Sequence, residues 1–143
     1  MITLALLKQI ETDGVASLTI DKNLFWEELP LNHDGKPATG VWLVTRGGNA
    51  GDAKGRNLHC TVDFYVALAN KPKTEAVHQE ILRWIIANPC FCELSGTVGD
   101  TTYQFENIRL RSVTTPQNYG ATENGVIVKI ASAEVIYDLP NTN

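Results

Sequence analysis

Cys60-Thr61-Val62-Asp63-Phe64-Tyr65-Val66-Ala67-Leu68 decides the fold, together with the helix-period segment that follows Asn70-Lys71-Pro72. Cys60, Val62, Phe64, Val66 and Leu68 alternate with more polar neighbours, which is the period-two pattern of a strand with one buried face. Beyond Pro72 the period changes. Val77, Ile81, Trp84 and Ile85 stand at i, i+4, i+7 and i+8, a stripe that turns one side of a helix toward a core. A strand running directly into an amphipathic helix predicts an α+β domain, with helices packed on a mixed, mostly antiparallel sheet.

Working toward the N-terminus, Ile2, Leu6 and Ile10 repeat every four residues and Leu7 widens their face. They predict a helix over 2–12 ended by Asp13-Gly14. Residues 24–29 and 41–46 read as short strands. Between them Asp34-Gly35 is the expected reversal, which would set Trp26 opposite Trp42. Residues 47–57 hold four glycines among polar side chains and read as a long loop between strands. Toward the C-terminus, the helix is expected to start near Pro72 and to stop at Asn88, because Pro89 disfavours a helical residue before it. A weak strand over 93–98 and a turn over 98–101 follow. Residues 102–113 form a strand whose apolar positions change phase from Tyr103 and Phe105 to Ile108 and Leu110, so a bulge is expected near Glu106-Asn107. Residues 114–125 read as a second long loop and 126–139 as the closing strand. No internal repeat or low-complexity linker divides the 143 residues, a length that suits one domain.

Twelve basic and sixteen acidic side chains give a net charge of −4, the opposite of the basic footprint of a general nucleic-acid binder. Three cysteines make an odd set for a disulfide framework. No secretory leader is legible at the start, and no apolar run is long enough for a membrane span. A reducing cytoplasm is the expected place of synthesis.

The residues that carry chemistry elsewhere do not assemble into a signature here. Cys90-Phe91-Cys92 lacks the spacing of a zinc knuckle, and the expectation is two small apolar residues, one buried and one exposed. The glycine-rich loop is not a phosphate-binding loop, because Gly55 is followed by Arg56 and Asn57 and then by a strand. That loop does collect Arg46, Lys54 and Arg56 against Asp52. It reads either as a solvated hairpin loop or as one that orders on a partner or faces nucleic acid. Arg109 and Arg111 share a strand face, and surface charge explains them better than a nucleic-acid platform with Tyr103 and Phe105. His33, His59 and His78 share no spacing and read as surface or boundary histidines. Ser95 lacks the glycines of a nucleophile elbow. No catalytic, cofactor-binding or metal-ligating residue is assigned, and no cofactor is expected.

Taken together, the apolar first helix, Leu24-Phe25-Trp26-Glu27-Glu28-Leu29-Pro30, Gly40-Val41-Trp42-Leu43-Val44-Thr45-Arg46-Gly47-Gly48 and Thr61-Val62-Asp63-Phe64-Tyr65-Val66 with its following helix resemble the tail-terminator, or minor capsid, proteins of long-tailed bacteriophages. Size and element order match over nearly the whole chain. The resemblance implies a non-enzymatic virion subunit, six copies of which form a ring. That ring would cap the tail tube and offer a surface to the head–tail connector. Its partners would be itself, the tube protein and the connector, with non-specific contact between the Arg46, Lys54 and Arg56 loop and DNA in the channel. It would lie at the head-proximal end of the tail, without a membrane. Another connector or tube-related protein is the alternative within this class. A small cytoplasmic ligand-binding domain or enzyme is the alternative outside it.

Overall fold

The computed structural model describes residues 2–28, 39–49, 51, 54–113, 120–121 and 127–140. Helix α1 (Ile2–Thr12) and strands β1 (Leu24–Trp26), β2 (Gly40–Asn49) and β3 (Leu58–Ala67) precede helix α2 (Lys71–Ala87). Strands β4 (Cys90–Val98), β5 (Thr101–Val113), β6 (Gly120–Ala121) and β7 (Ile127–Asp138) complete the chain. The sheet runs β1-β2-β3-β7-β5-β4, with the short β6 pairing β7. All neighbours are antiparallel except β1 and β2. The expected α+β class, a mixed and mostly antiparallel sheet under two helices, is what the chain forms, and the sheet curls as a half-barrel.

α2 starts and stops where local chemistry sets its ends. α2 begins at Asn70, whose side-chain oxygen accepts the Lys73 amide at 3.0 Å and satisfies one of the free N–H groups of the first turn. At its other end the Asn88 side chain donates to the Trp84 carbonyl at 2.8 Å, one residue before Pro89. Ile2, Leu6, Leu7 and Ile10 of α1, Ile81, Trp84 and Ile85 of α2, and the alternating Cys60, Val62, Phe64 and Val66 of β3 meet in one core. Leu43, Ile108, Leu110, Ala131, Ala133 and Val135 also line its sheet side. α1 lies so close on β4 that a Cβ at Gly96 would stand 2.8 Å from the Ala5 nitrogen.

Four expectations are corrected. β1 and β2 are parallel, with Leu24 beside Val41 and Trp26 beside Leu43, so they are not the two arms of one turn. Trp26 therefore points to α1, where its Nε1–H donates to Thr3 at 2.9 Å, while Trp42 stands on the other face. β1 stops at Trp26 because Glu27 takes a φ of +68°. β2 continues to Asn49, through the first two glycines of the supposed loop. Gly48 is needed there: a Cβ would fall 2.0 Å from the His59 carbonyl oxygen across the bulge between Arg46 and Asn49. Cys90 and Cys92 are both exposed, rather than one buried and one exposed, because positions i and i+2 of a strand lie on the same face.

The bulge expected near Glu106-Asn107 is present as a register shift, with Asn107 at a φ of +50°. The Asp34-Gly35 reversal and His33 lie outside the described residues, as does most of the second long loop.

Candidate partner-docking face of the sheet

Alternation along the strands sends the core residues to the helices and their neighbours to the opposite face. On that second face the pairing registers align side chains in rows perpendicular to the strands. Phe25, Trp42, Tyr65 and Ile130 form one row across β1, β2, β3 and β7. The rings of Trp42 and Tyr65 stack with centroids 5.0 Å apart. Val44, Asp63, Ser132 and Val113 form the next row, and Arg46, Thr61, Glu134 and Arg111 the one after. His59, Ile136, Arg109 and Cys90 follow. The last row, Asp138, Glu106 and Glu93, is entirely acidic.

Across the middle rows the charges are tied together. Asp63, 5% exposed, accepts from Nε of Arg46 at 2.8 Å and from Nη2 at 3.3 Å. It also takes the Ser132 hydroxyl at 2.5 Å. This two-point hold keeps the Arg46 guanidinium firmly protonated and fixes its direction. One row on, Glu134 receives Nε2 of His59 at 2.7 Å on one oxygen and Nη2 of Arg111 at 2.7 Å on the other. The His59 hydrogen bond, and then Arg111, holds the Glu134 carboxyl below the ordinary carboxylate range. Arg46 and Arg111 stay 63% and 77% exposed, so each offers its remaining N–H groups to whatever meets the face.

The structure separates the three cations of the sequence-predicted loop. Arg46 belongs to β2 and the sheet face. Lys54 and Arg56 lie at the end of the sheet, lining a small cleft with Glu106, Asn107, Asp138 and Leu139. Asp138 accepts the Asn57 amide at 2.8 Å and the Asn107 side chain at 2.9 Å. Those bonds, with Arg109 and Arg56 nearby, lower its pKa. Arg109 and Arg111 share the face as expected, and Arg109 donates to the Asn57 side chain at 2.9 Å. Phe105 points to the core and packs edge-on against Tyr137, so it joins no aromatic–arginine platform.

Sequence reasoning missed the Asp63–Ser132 and His59–Glu134 contacts, because each joins strands 69 or 75 residues apart. It also placed His78 at a boundary, whereas it is 5% exposed and its Nε2–H donates to the Ile130 carbonyl at 2.9 Å. Its signal was present: Thr74, His78, Ile81 and Ile85 keep the helical spacing, and all four are buried.

Chemically, the face offers fixed charges rather than an activated nucleophile. Ser132 is 1% exposed and donates its hydroxyl hydrogen bond to Asp63, with no histidine of the described residues beside it to act as base. Among the described residues no group of three or more His, Cys, Asp or Glu side chains could hold a metal ion. None of the described helices is long and apolar enough to cross a membrane. Comparison with protein-family models, with curated proteins and with solved structures finds no match to this chain.

Proposed function

We propose that the chain is a structural subunit of a bacteriophage virion, which closes with five further copies into a ring that caps the tail tube and meets the head–tail connector. The observation that carries this reading is the charged sheet face. Its arginines are held in place by Asp63 and Glu134 yet remain largely exposed, the arrangement of a surface set for another protein. The order of elements, which the phage family resemblance implies, supports the same reading. In it the subunit binds no cofactor and catalyses nothing. Lys54 and Arg56, at the end of the sheet, face the tube or the DNA channel, where a few cations give weak, sequence-independent attraction to phosphates.

An early stop codon in this gene of the parent phage tests the function. Electron microscopy of the lysate is expected to show overlong free tails beside DNA-filled, tailless heads. Tails of normal length that fail to join heads would move the protein to the connector. Intact infectious particles would refute a virion role.

A further inference from the structure

The acidic row sets two like charges against each other across a strand pair. Glu93 and Glu106 stand directly opposite one another on β4 and β5. Side chains so placed have Cβ atoms about 5 Å apart, and like charges there repel. Neither glutamate takes part in any ion pair among the described residues. Lys54 and Arg56 gather on the β7 side, beside Glu106 and Asp138, while Glu93 sits exposed on the edge strand. The two glutamates line a cleft of about 220 Å³ with Leu94, Ser95, Gln104 and Phe105.

A further cation stands on the same face, beyond reach of the two glutamates. Arg111 lies five residues along β5 from Glu106, about 16 Å at the rise of a strand. It is 77% exposed and oriented by Glu134, its one ion-pair partner among the described residues, which leaves a directed guanidinium edge facing outward.

We propose that a second copy of this chain inserts Arg111 between Glu93 and Glu106 of its neighbour. The inference rests on the ring reading and names a subunit contact within it. An arginine on one patch and a carboxylate pair on another can meet once per interface, the heterologous contact that generates rings when the rotation closes, or twice across a two-fold axis. The ring reading takes the first. A second copy fits better than a nucleic acid. Glu134 lies between Arg46 and Arg111 in the same row, so an extended polyanion would lie across a carboxylate, whereas a protein surface can match alternating signs.

Sedimentation velocity on the purified full chain, at about 0.05 M and about 0.5 M salt, tests the contact because exposed charges are screened at the higher value. The wild type is expected to associate, less so in high salt. Arg111→Glu and the double variant Glu93→Lys/Glu106→Lys are each expected to weaken association about tenfold or more, and their equimolar mixture to restore it. Unfolding midpoints check that the variants fold. Should the lysine pair fail that check, Glu93→Gln/Glu106→Gln removes the charge with the shape retained and is expected to weaken association likewise. Wild-type association that neither substitution weakens would overturn the contact while leaving the ring intact through some other surface. A wild type that stays monomeric at every concentration and salt overturns the contact too, and tail length in the stop-codon lysate then judges the ring separately. Monomers that bind a single-stranded oligonucleotide through Arg111 would overturn it in favour of nucleic acid.

Discussion

Replacing Gly96 by alanine is expected to destabilise the chain by about 1–3 kcal/mol, the usual cost of overfilling a packed site. The cost arises where α1 crosses β4. A Cβ at residue 96 would lie 2.8 Å from the Ala5 nitrogen, 3.0 Å from the Leu4 carbonyl carbon and 3.2 Å from the Ala5 Cα. Ordinary contact begins near 3.4 Å, so the two backbones must part by about half an ångström. All three atoms are helix backbone, so no side-chain rotation relieves the clash. Moving α1 outward loosens Ile2, Leu6, Leu7 and Ile10, all at 2% exposure or less, from the sheet. Close packing does not absorb such a gap without loss of contact. Gly99 is the control: a methyl group added there would meet nothing within 4 Å, so Gly99→Ala tests only its φ of +59°. Urea and thermal unfolding followed by circular dichroism read both variants. A fall in melting temperature of about 3–10 °C is expected for Gly96→Ala. A Gly96→Ala stability within about 0.5 kcal/mol of wild type would refute the argument, because the helix would then be free to slide on the strand.

Asn70→Ala removes the acceptor of the Lys73 amide and is expected to cost about 1 kcal/mol, with Asn70→Asp retaining most of the stability in the same urea titration. Ile81→Ala, at a side chain with 0% exposure, is expected to cost about 2–5 kcal/mol, and a loss below about 1 kcal/mol would show that α2 does not seal the core. Burial pushes the Cys60 thiol up to about 11, so thiol titration of the native protein at neutral pH is expected to count Cys90 and Cys92, and a third group only in denaturant. Glu11, Glu75, Glu134 and Asp138 all have carboxyl pKa values lowered in the folded state, by the Ile20 amide, Lys129, His59 and the Asn57 amide first, respectively. Folding therefore favours their charged forms. The stability they supply is present above the unfolded carboxylate range and is lost as pH falls through the lowered folded values. Unfolding midpoints should decline steadily below about pH 4.5, and a flat profile down to about pH 2 would contradict those hydrogen bonds. On the proposed ring function, charge reversal at Lys54 and Arg56 is expected to impair tail assembly or DNA passage, measured as plaque titre by complementation.

Much of the fold was legible because it is local. The spacing of Ile2, Leu6 and Ile10 gives α1 between the same residues that the structure does, and the alternation in β3 names the buried face without knowledge of its neighbours. Even the bulge at Asn107 was visible as a phase change between Phe105 and Ile108. The candidate site was less legible. Arg46, Lys54 and Arg56 are close in sequence and read as one basic loop, yet β2 carries Arg46 onto the sheet face and the hairpin returns Lys54 and Arg56 to the end of β7.

The order of residues along the chain suffices to say which side of each element is apolar, where the helices begin and end, and that Thr61, Asp63 and Tyr65 point away from the core. What stands beside them follows from the folded arrangement. β7 lies between β3 and β5, and β1 runs parallel to β2 instead of returning against it. Periodicity comes from backbone geometry over a few residues, whereas strand order and register are set by long-range pairing under the constraint of helix packing. Only that pairing turns scattered arginines, glutamates and a histidine into rows of matched charge, and only it leaves Glu93 facing Glu106.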